Sequence, residues 1–251
     1  MLTEERHQLI MDILQSKGTI HIQEIVEMLN ISESTVRRDL SYLEKKNRLK
    51  RVHGGAALLK QKRTELSMNE KQLRNLSEKQ KIGAYAAKLV KDGDCIFLDA
   101  GTTTYEMINY LRAKEITVVT TGIPHLELLS DKGIATYIIG GYVRSITKAV
   151  IGQTALEMLN KFRFDKTFLG VNGIHLDYGY TTPDPEEAAI KSLALQLGQN
   201  VYVLADHSKF QEVTFSEIAP LEAATVITNL DDSALMEEFK SKTKMEMVVD
   251  K

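Results

Sequence analysis

Cysteine is nearly absent from this chain, whose 251 residues include one cysteine, Cys95, along with four prolines and no tryptophan. One cysteine excludes an intramolecular disulfide and is typical of proteins that stay in a reducing compartment. Long hydrophobic runs are also missing, and none approaches the roughly 18 apolar residues that span a membrane. We expect no secretory leader, because the first residues already have the spacing of an amphipathic helix. These absences predict a cytoplasmic protein with no membrane partner.

Residues that bind metals are few and dispersed. The six histidines are scattered, and no pair has the close spacing of a zinc site with a cysteine partner. We therefore predict no metal and no cofactor. The hydrophobic content of 43% lets a chain of this length form one small and one mid-sized domain.

Charge is distributed unevenly along the chain, although its net value is only −2. Residues 37–63 contain ten Lys or Arg and two Asp or Glu, a local net charge of +8, which leaves −10 for the remainder. A basic segment on an otherwise acidic chain is typical of a region that faces phosphate. Taken alone, it could equally be a chance basic surface.

Three helices with apolar residues at helical spacing are predicted before and within this segment. Their inward positions are Ile10, Ile13 and Leu14, then Ile22, Ile25, Val26 and Leu29, then Val36, Leu40 and Leu43. Only Asn30, Ile31 and Ser32 separate the second helix from the third, and Ser32 is suited to cap the third. Such a short turn is typical of a helix-turn-helix.

The third helix presents a polar side opposite its apolar positions. The candidate DNA contacts on this helix and at its start are Ser32, Ser34, Thr35, Arg37, Arg38, Ser41 and Lys45. Arginine can pair bidentately with guanine, and serine and threonine can reach base edges or phosphates in the major groove. A solvated amphipathic helix is the alternative, but the short turn, the apolar stripe and the hairpin that follows favour DNA reading.

A hairpin is predicted over residues 49–58, which alternate around Gly54-Gly55, a pair that permits the positive backbone angles of a tight turn. We interpret it as a wing, with Lys50, Arg51 and His53 placed to contact phosphate or the neighbouring minor groove. His53 could equally be a surface turn residue. Residues 1–58 are therefore predicted as a winged helix-turn-helix, and the polar residues 59–75 as a linker with room for a helical turn.

Residues 76–251 are predicted to form a Rossmann-like α/β domain with a largely parallel sheet, because short apolar runs alternate with helical patterns. The runs lie at residues 95–100, 116–121, 136–141, 166–171, 201–206 and 224–228. Nearly every run ends in small or polar residues. Because open α/β sheets bind ligands at the carboxyl ends of their strands, we expect a polar binding site there.

The predicted binding site is rich in hydroxyls and backbone amides, which suits a small polar anion. Its residues are Asp99, Gly101, Thr102, Thr103, Thr104, Thr121, Gly122, Gly140, Gly141, Asn172, Gly173, Asp206 and Lys209. In the segment DAGTTT, Gly101 lets the backbone approach closely, and three threonines open a helix whose free amides favour phosphate. Threonines that only cap a helix are the alternative, but a cap needs one threonine rather than three.

Four further residues near these strand ends and on the following helix are candidate sugar contacts. They are Lys166, Asp184, Glu187 and Lys191. Glu187 and Lys191 have the i,i+4 spacing of a helix, so an ordinary surface ion pair is an equally good interpretation of those two.

The segments SESTVRRDL and RVHGGA, at residues 32–40 and 51–56, resemble the N-terminal signature of the DeoR family of bacterial sugar-metabolism repressors. The resemblance continues through FLDAGTTT, Gly140-Gly141, DKTFLGVNGI, TTPDPEEA and LADHSKF, and so covers essentially the whole chain. It implies an effector domain similar in fold to sugar-phosphate isomerases such as ribose-5-phosphate isomerase. Within the family, GDCIFLDAGTTTYEMI and TTPDPEEA resemble the subgroup that represses fructose operons, which implies fructose 1-phosphate as the effector.

One recognition helix offers limited base contact, so we expect a homo-oligomer, a dimer or a tetramer, on repeated half-sites of operator DNA. The resemblance implies repression that a phosphosugar relieves. A sugar-phosphate isomerase with an appended DNA-binding domain is the alternative, since carboxylates such as Asp99 and Asp206 are available for proton transfer. A metabolic isomerase has no use for a DNA-binding domain, so we predict a regulator with no catalytic residues.

Overall fold

The computed structural model describes residues 3–17, 19–46, 48–52, 54–58 and 66–248. The chain divides into two compact units, residues 1–64 and residues 65–251. Each unit has its own hydrophobic core, as expected for a small and a mid-sized domain. The domain bounds given above stay a prediction.

The first unit combines helices and short strands. They are α1 (Thr3–Lys17), β1 (Thr19–His21), α2 (Ile22–Leu29), α3 (Glu33–Lys45), β2 (Leu49–Val52) and β3 (Gly55–Leu58). Their apolar sides meet in one core, in which Ile10, Leu14, Ile25, Val36 and Leu40 are completely buried. The inward positions predicted from helical spacing therefore form the core, and the winged helix-turn-helix is confirmed.

The turn between α2 and α3 is built from two local features. Asn30 ends α2 with a left-handed backbone conformation, φ 50°, which reverses the chain within a few residues. Ser32 then caps α3, because its hydroxyl accepts a hydrogen bond from the Thr35 amide at 3.3 Å.

The wing is a three-stranded antiparallel sheet in the order β1-β3-β2, and its strand β1 was not predicted. Gly54 has the positive φ, +74°, that the hairpin turn requires. Gly55 has a different role: a Cβ there would lie 2.1 Å from the Ile20 carbonyl oxygen. The second glycine is thus needed for the close approach of β1, and not for the turn.

The second unit is larger and mixes helices with parallel and antiparallel strands. Its described helices are α4 (Met68–Leu73), α5 (Leu76–Ala87), α6 (Thr102–Ile108), α7 (His125–Asp131), α8 (Gln153–Leu159), α9 (Pro185–Leu197) and α10 (Ser233–Lys240). Its described strands are β4 (Cys95–Leu98), β5 (Thr117–Thr120), β6 (Ala135–Ile138), β7 (Tyr142–Val143), β8 (Val150–Ile151), β9 (Phe164–Gly170), β10 (Gly173–His175), β11 (Gly179–Thr182), β12 (Gly198–Leu204), β13 (Ser216–Ala219), β14 (Thr225–Thr228) and β15 (Met245–Met247).

Seven of these strands form one parallel sheet in the order β15-β14-β12-β9-β4-β5-β6. Six of them correspond to the six predicted runs, and the predicted α/β class is confirmed. The seventh, β15, was missed, because three residues at a sheet edge carry little periodic signal. The antiparallel sheet β10-β11-β13 and the hairpin β7-β8 were also not predicted. The carboxyl ends of β12, β9, β4 and β5 lie side by side.

Both faces of the central part of the parallel sheet are covered, which explains the apolar runs in its central strands. Successive residues of a strand point to opposite faces. Phe97 packs in one buried cluster, and its neighbours Ile96 and Leu98 pack in another. Leu169 and Phe168 divide in the same way.

Part of the predicted linker belongs to a folded helix. Ser67 and Glu70 form a capping box at the start of α4, in which each side chain bonds the other residue's amide. The buried Met68 donates its amide hydrogen to the Ile146 carbonyl at 3.0 Å. Residues 67–73 are therefore attached to the second unit, although they fall within the predicted linker range of 59–75.

Candidate functional site

The outward side of α3 carries residues predicted to contact DNA. Ser34, Arg37, Arg38 and Lys45 are exposed, and Thr35 and Ser41 are half-buried. Glu33 accepts hydrogen bonds from Arg37 at 2.8 and 2.6 Å, which holds that arginine along the helix. Within the described part of the chain, the Arg38 side chain makes no hydrogen bond or ion pair, so its guanidinium is available to a ligand.

A buried carboxylate, Asp39, ties α3 to α1 from the inward side. It accepts hydrogen bonds from Arg6, through Nε and through Nη2 at 2.9 Å, and it lies 3.0 Å from Nε2 of His7. Burial alone would raise the pKa of Asp39, but the bonds from Arg6 and His7 outweigh it and lower the pKa below its ordinary value. Sequence reasoning missed this contact, because Asp39 and its partners are far apart in the chain.

The wing residues have different placements. Arg51 was predicted to face phosphate or the minor groove, but its Nη1 donates to Ser41 Oγ on α3 at 3.0 Å. Its backbone amide also donates to Glu44 of α3, at 2.8 Å to Oε1. His53 and the side chain of Lys50 lie outside the described residues, so their predicted contacts stay predictions.

At the carboxyl ends of the parallel strands, which we call the carboxyl edge, Asp99 makes hydrogen bonds and an ion pair to several elements. Its Oδ1 accepts hydrogen bonds from the Gly101 amide at 2.9 Å and from Thr104 Oγ1 at 3.0 Å. Its Oδ2 accepts one from the Gly170 amide at 2.9 Å and pairs with Lys191 Nζ. Asp99 and Lys191 were both predicted to bind the effector, but they pair with each other and so hold β4, β9, α6 and α9 in place.

The three threonines that open α6 differ in what they contact. Thr104 is completely buried, bonded to Asp99 and 3.3 Å from Nε2 of His125. The hydroxyls of Thr102 and Thr103 make no hydrogen bond to another described residue, although both side chains are buried. These two hydroxyls lie beside amides that a helix start leaves without partners. They are therefore the members of the DAGTTT segment that remain able to bind an anion.

His125, which sequence reasoning did not single out, packs against this loop through its contact with Thr104. Burial lowers its pKa to about 4, against a smaller opposite effect of Asp99, so the ring is neutral at neutral pH. Its Nδ1 is buried without a hydrogen-bond partner in the described part of the chain. A Cβ on Gly122 would lie 2.2 Å from that atom, so Gly122 is required by the packing of this ring.

The hairpin β7-β8 closes over the ends of β5 and β6. Thr121 accepts a hydrogen bond from the Val150 amide at 2.8 Å through its carbonyl, and Gly122 forms a bridge with Ala149. Gly141 lies where a Cβ would be 2.7 Å from the Ile151 carbonyl oxygen. The predicted site members Thr121, Gly122 and Gly141 thus attach the hairpin, while Gly140 is exposed beside it.

Two predicted carboxylates anchor the same hairpin from α9. Asp184 caps α9 by accepting hydrogen bonds from the Glu186 and Glu187 amides, at 2.9 and 3.0 Å, and it forms an ion pair with Arg144. Glu187 accepts a hydrogen bond from Thr147 Oγ1 at 2.6 Å and lies 3.7 Å from Arg144 Nε. Both carboxylates therefore have protein partners.

A second polar group lies at the end of β12. Asp206 is buried and accepts hydrogen bonds from Asn75 Nδ2 at 2.9 Å and from the Ser208 amide at 3.0 Å. Burial alone would raise its pKa, but Lys209 and the bonds from Ser208 and Asn75 outweigh it and lower the pKa.

Lys79 is a buried cation near this aspartate that sequence reasoning missed. Its Nζ donates to the Arg74 carbonyl at 2.6 Å and to the Lys71 carbonyl, at the end of α4. Burial lowers its pKa to about 8, and the charges of Lys209 and Lys71 add to that effect against Asp206 and Glu106. An ammonium has three donors, so one is left for a ligand. No motif marks this lysine, and only its burial identifies it.

The remaining predicted residues separate into two groups. Asn172 lies beside the site and accepts a hydrogen bond from Thr182 Oγ1 at 3.1 Å, and the Gly173 backbone approaches the Glu212 carbonyl so closely that a Cβ would be 2.3 Å away. Lys166 lies elsewhere: it is near the start of β9 and pairs with Asp94 at 2.6 Å. Gly170 is about 13 Å further along that strand. Lys166 therefore lies at the amino ends of the strands, on the side of the sheet opposite the candidate site.

Within the described residues, no group of three or more His, Cys, Asp or Glu side chains could hold a metal ion. In the same part of the chain, no helix is long and apolar enough to cross a membrane.

A winged helix-turn-helix joined to an α/β unit with polar residues at its strand ends is typical of DNA-binding regulators with a sensor domain. Residues 6–62 match the family described as DeoR-like helix-turn-helix domain, and residues 74–230 match the DeoR C terminal sensor domain. The chain belongs to the DeoR family.

Similar proteins extend over nearly the whole chain. The chain is 48% identical over 249 residues to the uncharacterized HTH-type transcriptional regulator FruR of Bacillus subtilis (strain 168), covering 99% of both proteins. It is 36% identical over 248 residues to the lactose phosphotransferase system repressor of Staphylococcus aureus (strain N315), covering 96% of this chain and 98% of that protein. It is 36% identical over 223 residues to the HTH-type transcriptional repressor GlcR of Bacillus subtilis (strain 168), covering 88% and 86%.

Solved structures are similar to parts of the chain. Ribose 5-phosphate isomerase A from Methanocaldococcus jannaschii covers 54% of this chain and 55% of its own, with a TM-score of 0.41 and 19% identity. The eIF2B delta structure from Chaetomium thermophilum covers 78% and 63%, with a TM-score of 0.46 and 17% identity.

Proposed function

We propose that this protein represses a sugar-catabolic operon, with a fructose operon favoured, and that a phosphosugar such as fructose 1-phosphate releases it from operator DNA. The observation that carries the proposal is the presence, in one chain, of an exposed arginine on the outward side of α3, whose side chain has no partner among the described residues, and of the buried Lys79 beside Asp206 in the second unit. One relative points the same way, since its name, lactose phosphotransferase system repressor, refers to a sugar system.

On the DNA side, the reading surface consists of Ser34, Thr35, Arg38, Ser41 and Lys45, with Arg37 held by Glu33. Ser32 contributes by capping the helix whose N-terminus approaches the bases. The basic segment of residues 37–63 supplies the phosphate contacts that give affinity without sequence preference. Arg38 supplies discrimination, because a guanidinium pairs bidentately with guanine.

On the effector side, the phosphate is bound by Thr102 and Thr103 at the start of α6 and by the remaining donor of Lys79. Both groups belong to the carboxyl edge: α6 follows β4, and Lys79 adjoins Asp206, which follows β12. One strand, β9, separates β4 from β12, so these groups lie on the order of 10 Å apart across the edge. That span leaves room for the sugar beside its phosphate, with Asn172 and Lys209 as further polar groups.

An isomerase activity has less support. A catalytic base needs a pKa near the working pH and room to reach the substrate. The pKa of Asp206 is lowered, Asp99 is saturated by protein donors, and Asp184 and Glu187 are held by Arg144. The similar proteins are transcriptional regulators, and so we propose that this chain binds its phosphosugar without converting it.

Release from DNA then follows from linkage between the two sites. The effector must bind more tightly to the arrangement that cannot bind DNA. A tenfold drop in operator affinity needs about 1.4 kcal/mol of coupling between the two sites. We further propose a homo-oligomer, a dimer or a tetramer, acting in the cytoplasm on half-sites about one helical turn or a multiple apart. A monomer on operator DNA in analytical ultracentrifugation would contradict that arrangement.

The decisive experiment is calorimetric titration of the purified chain with fructose 1-phosphate, fructose 6-phosphate, ribose 5-phosphate, tagatose 6-phosphate and glycerol 3-phosphate. Chromatography of each mixture afterwards detects conversion. We expect selective binding of fructose 1-phosphate without turnover, and release of a bound fructose-operon promoter fragment by that compound alone. Turnover would support the isomerase function instead. Selective binding of another phosphosugar would mean that this compound, and not fructose 1-phosphate, is the effector.

A further inference from the structure

We propose that Arg51, supplied by the wing strand β2, is a base-reading residue of the α3 surface and recognises a guanine next to the base pair read by Arg38. The inference rests on the proposed sequence-specific DNA binding. It gives this wing residue a major-groove role, different from a contact with phosphate or with the neighbouring minor groove.

The first step is the direction of the side chain. Arg51 Nη1 donates to Ser41 Oγ at 3.0 Å, and Ser41 itself donates to the Arg37 carbonyl at 2.8 Å. Ser41 belongs to the polar side of α3. The backbone amide of Arg51 donates to Glu44 at 2.8 Å, which fastens β2 to the same helix. The guanidinium is therefore held on α3 by its bond to Ser41, and the backbone bond to Glu44 keeps the strand that carries it beside the same helix.

The second step is the incomplete pairing of that guanidinium. Its Nε is buried without a hydrogen-bond partner in the described residues. A guanidinium carries five N–H donors in a planar fork, and a buried unpaired donor is unfavourable. Nη1 and Nη2 carry the donors that can pair with O6 and N7 of a guanine, which adds two bonds to the one that Nη1 makes with Ser41.

The third step is the spacing along α3. Ser41 follows Arg38 by three residues and so lies on the same side of the helix, about 4.5 Å further along its axis. Neighbouring base pairs are about 3.4 Å apart. The Arg51 guanidinium bonds α3 at Ser41, about 4.5 Å along the helix axis from Arg38, a displacement comparable with one base-pair step, which extends the reading surface beyond the residues of α3 itself.

The test uses the full chain and begins with selection of bound sequences from a duplex library with a randomised centre. The variants are Arg51→Lys, which keeps the charge but not the planar fork, and Arg51→Met, which removes the charge. Arg48→Lys is the matched control, because Arg48 is exposed and immediately precedes the same strand. Dissociation constants are measured by fluorescence anisotropy on the selected duplex, on its single-base-pair variants and on an unrelated duplex, together with the unfolding temperature.

We expect Arg51→Lys to weaken binding to the selected duplex about 5- to 150-fold, with loss of preference at one base pair in each half-site. Binding to the unrelated duplex and the unfolding temperature should stay unchanged, and Arg48→Lys, which keeps a charge available to phosphate, should keep the preference at every base pair.

Two results would overturn the inference alone. If Arg51→Lys binds normally while Arg51→Met weakens all duplexes alike, with a salt dependence reduced by about one charge, Arg51 contacts phosphate. If Arg51→Lys lowers the unfolding temperature along with binding to every duplex, Arg51 has a structural role. If the unsubstituted protein selects no sequence, the proposed function fails, and the inference fails with it.

Discussion

Replacing Asp39 with asparagine should destabilise the DNA-binding unit by about 2–4 kcal/mol. The Asp39 side chain is 5% exposed and pairs with an Arg6 side chain that is 13% exposed. Asparagine keeps the shape but removes the charge, and its amide group adds a donor where Arg6 and His7 already donate. Hydrogen bonds to charged groups contribute about 1.5–3 kcal/mol each, and breaking a buried ion pair costs about 3–5 kcal/mol. The partial exposure of Arg6 places the expected loss between these ranges.

Such a loss is large beside the roughly 5–15 kcal/mol that stabilises a typical domain. For a unit of this size it lowers the unfolding temperature by about 10–30 °C. Circular dichroism or calorimetry of the full chain measures the shift, and operator binding should weaken at temperatures above the new midpoint. The control is Glu33→Gln on the same helix, where the carboxylate is 53% exposed. It should change stability by less than about 0.5 kcal/mol.

The pH dependence supplies a second test of the same cause. Because the pKa of Asp39 is lowered on folding, its stabilisation is present above the unfolded value near 4 and is lost as pH falls through the folded value. The difference in unfolding free energy between the unsubstituted protein and Asp39→Asn should therefore be largest at neutral pH and become smaller in acid. Equal unfolding midpoints for Asp39→Asn and Glu33→Gln at neutral pH would refute the argument.

Three further predictions concern binding. Arg38→Ala should weaken operator binding by about 1–3 kcal/mol and relax specificity at one position, and unchanged anisotropy titrations would remove Arg38 from the reading surface. Thr103→Val should abolish release of DNA by the phosphosugar while operator binding persists; release at the normal effector concentration in a gel-shift assay would contradict the phosphate site. Affinity for the phosphosugar should fall as pH rises through about 8, where Lys79 loses its proton. In calorimetry, Lys79→Met should remove this pH dependence of the affinity. Lys166→Met is the control and should keep it.

The DNA-binding unit could be predicted in detail because its signals are local. Helical spacing identified the inward residues, and one hydroxyl at Ser32 marked the start of α3. Strand β1 could not be predicted, since three residues show too little alternation and its pairing partner β3 lies far along the chain. The direction of Arg51 was equally out of reach, because it depends on how the wing packs against α3.

The sequence predicted where the polar strand-end residues lie, but not which groups they contact. Because parallel strands end on one side of the sheet, Asp99, Thr103 and Asp206 were expected there, and each follows a strand of the parallel sheet in the structure. Lys166 was also assigned to the site, but it lies near the amino end of its strand, on the side of the sheet opposite the carboxyl ends, where it pairs with Asp94. Lys79 is on a helix that carries no motif, so only its burial among polar groups reveals it.

The sequence by itself determined the winged helix-turn-helix, the parallel α/β sheet and the family, because periodicity, caps and short motifs depend on neighbouring residues. The tertiary structure alone decided which polar groups are occupied and which remain able to bind. Asp99 pairs with Lys191, 92 residues further along the chain, while the hydroxyls of Thr102 and Thr103 bond to no other residue that the structure describes. Partners of this kind are brought together only by packing, since the free energy of a buried charge or hydroxyl depends on whatever group the fold places beside it.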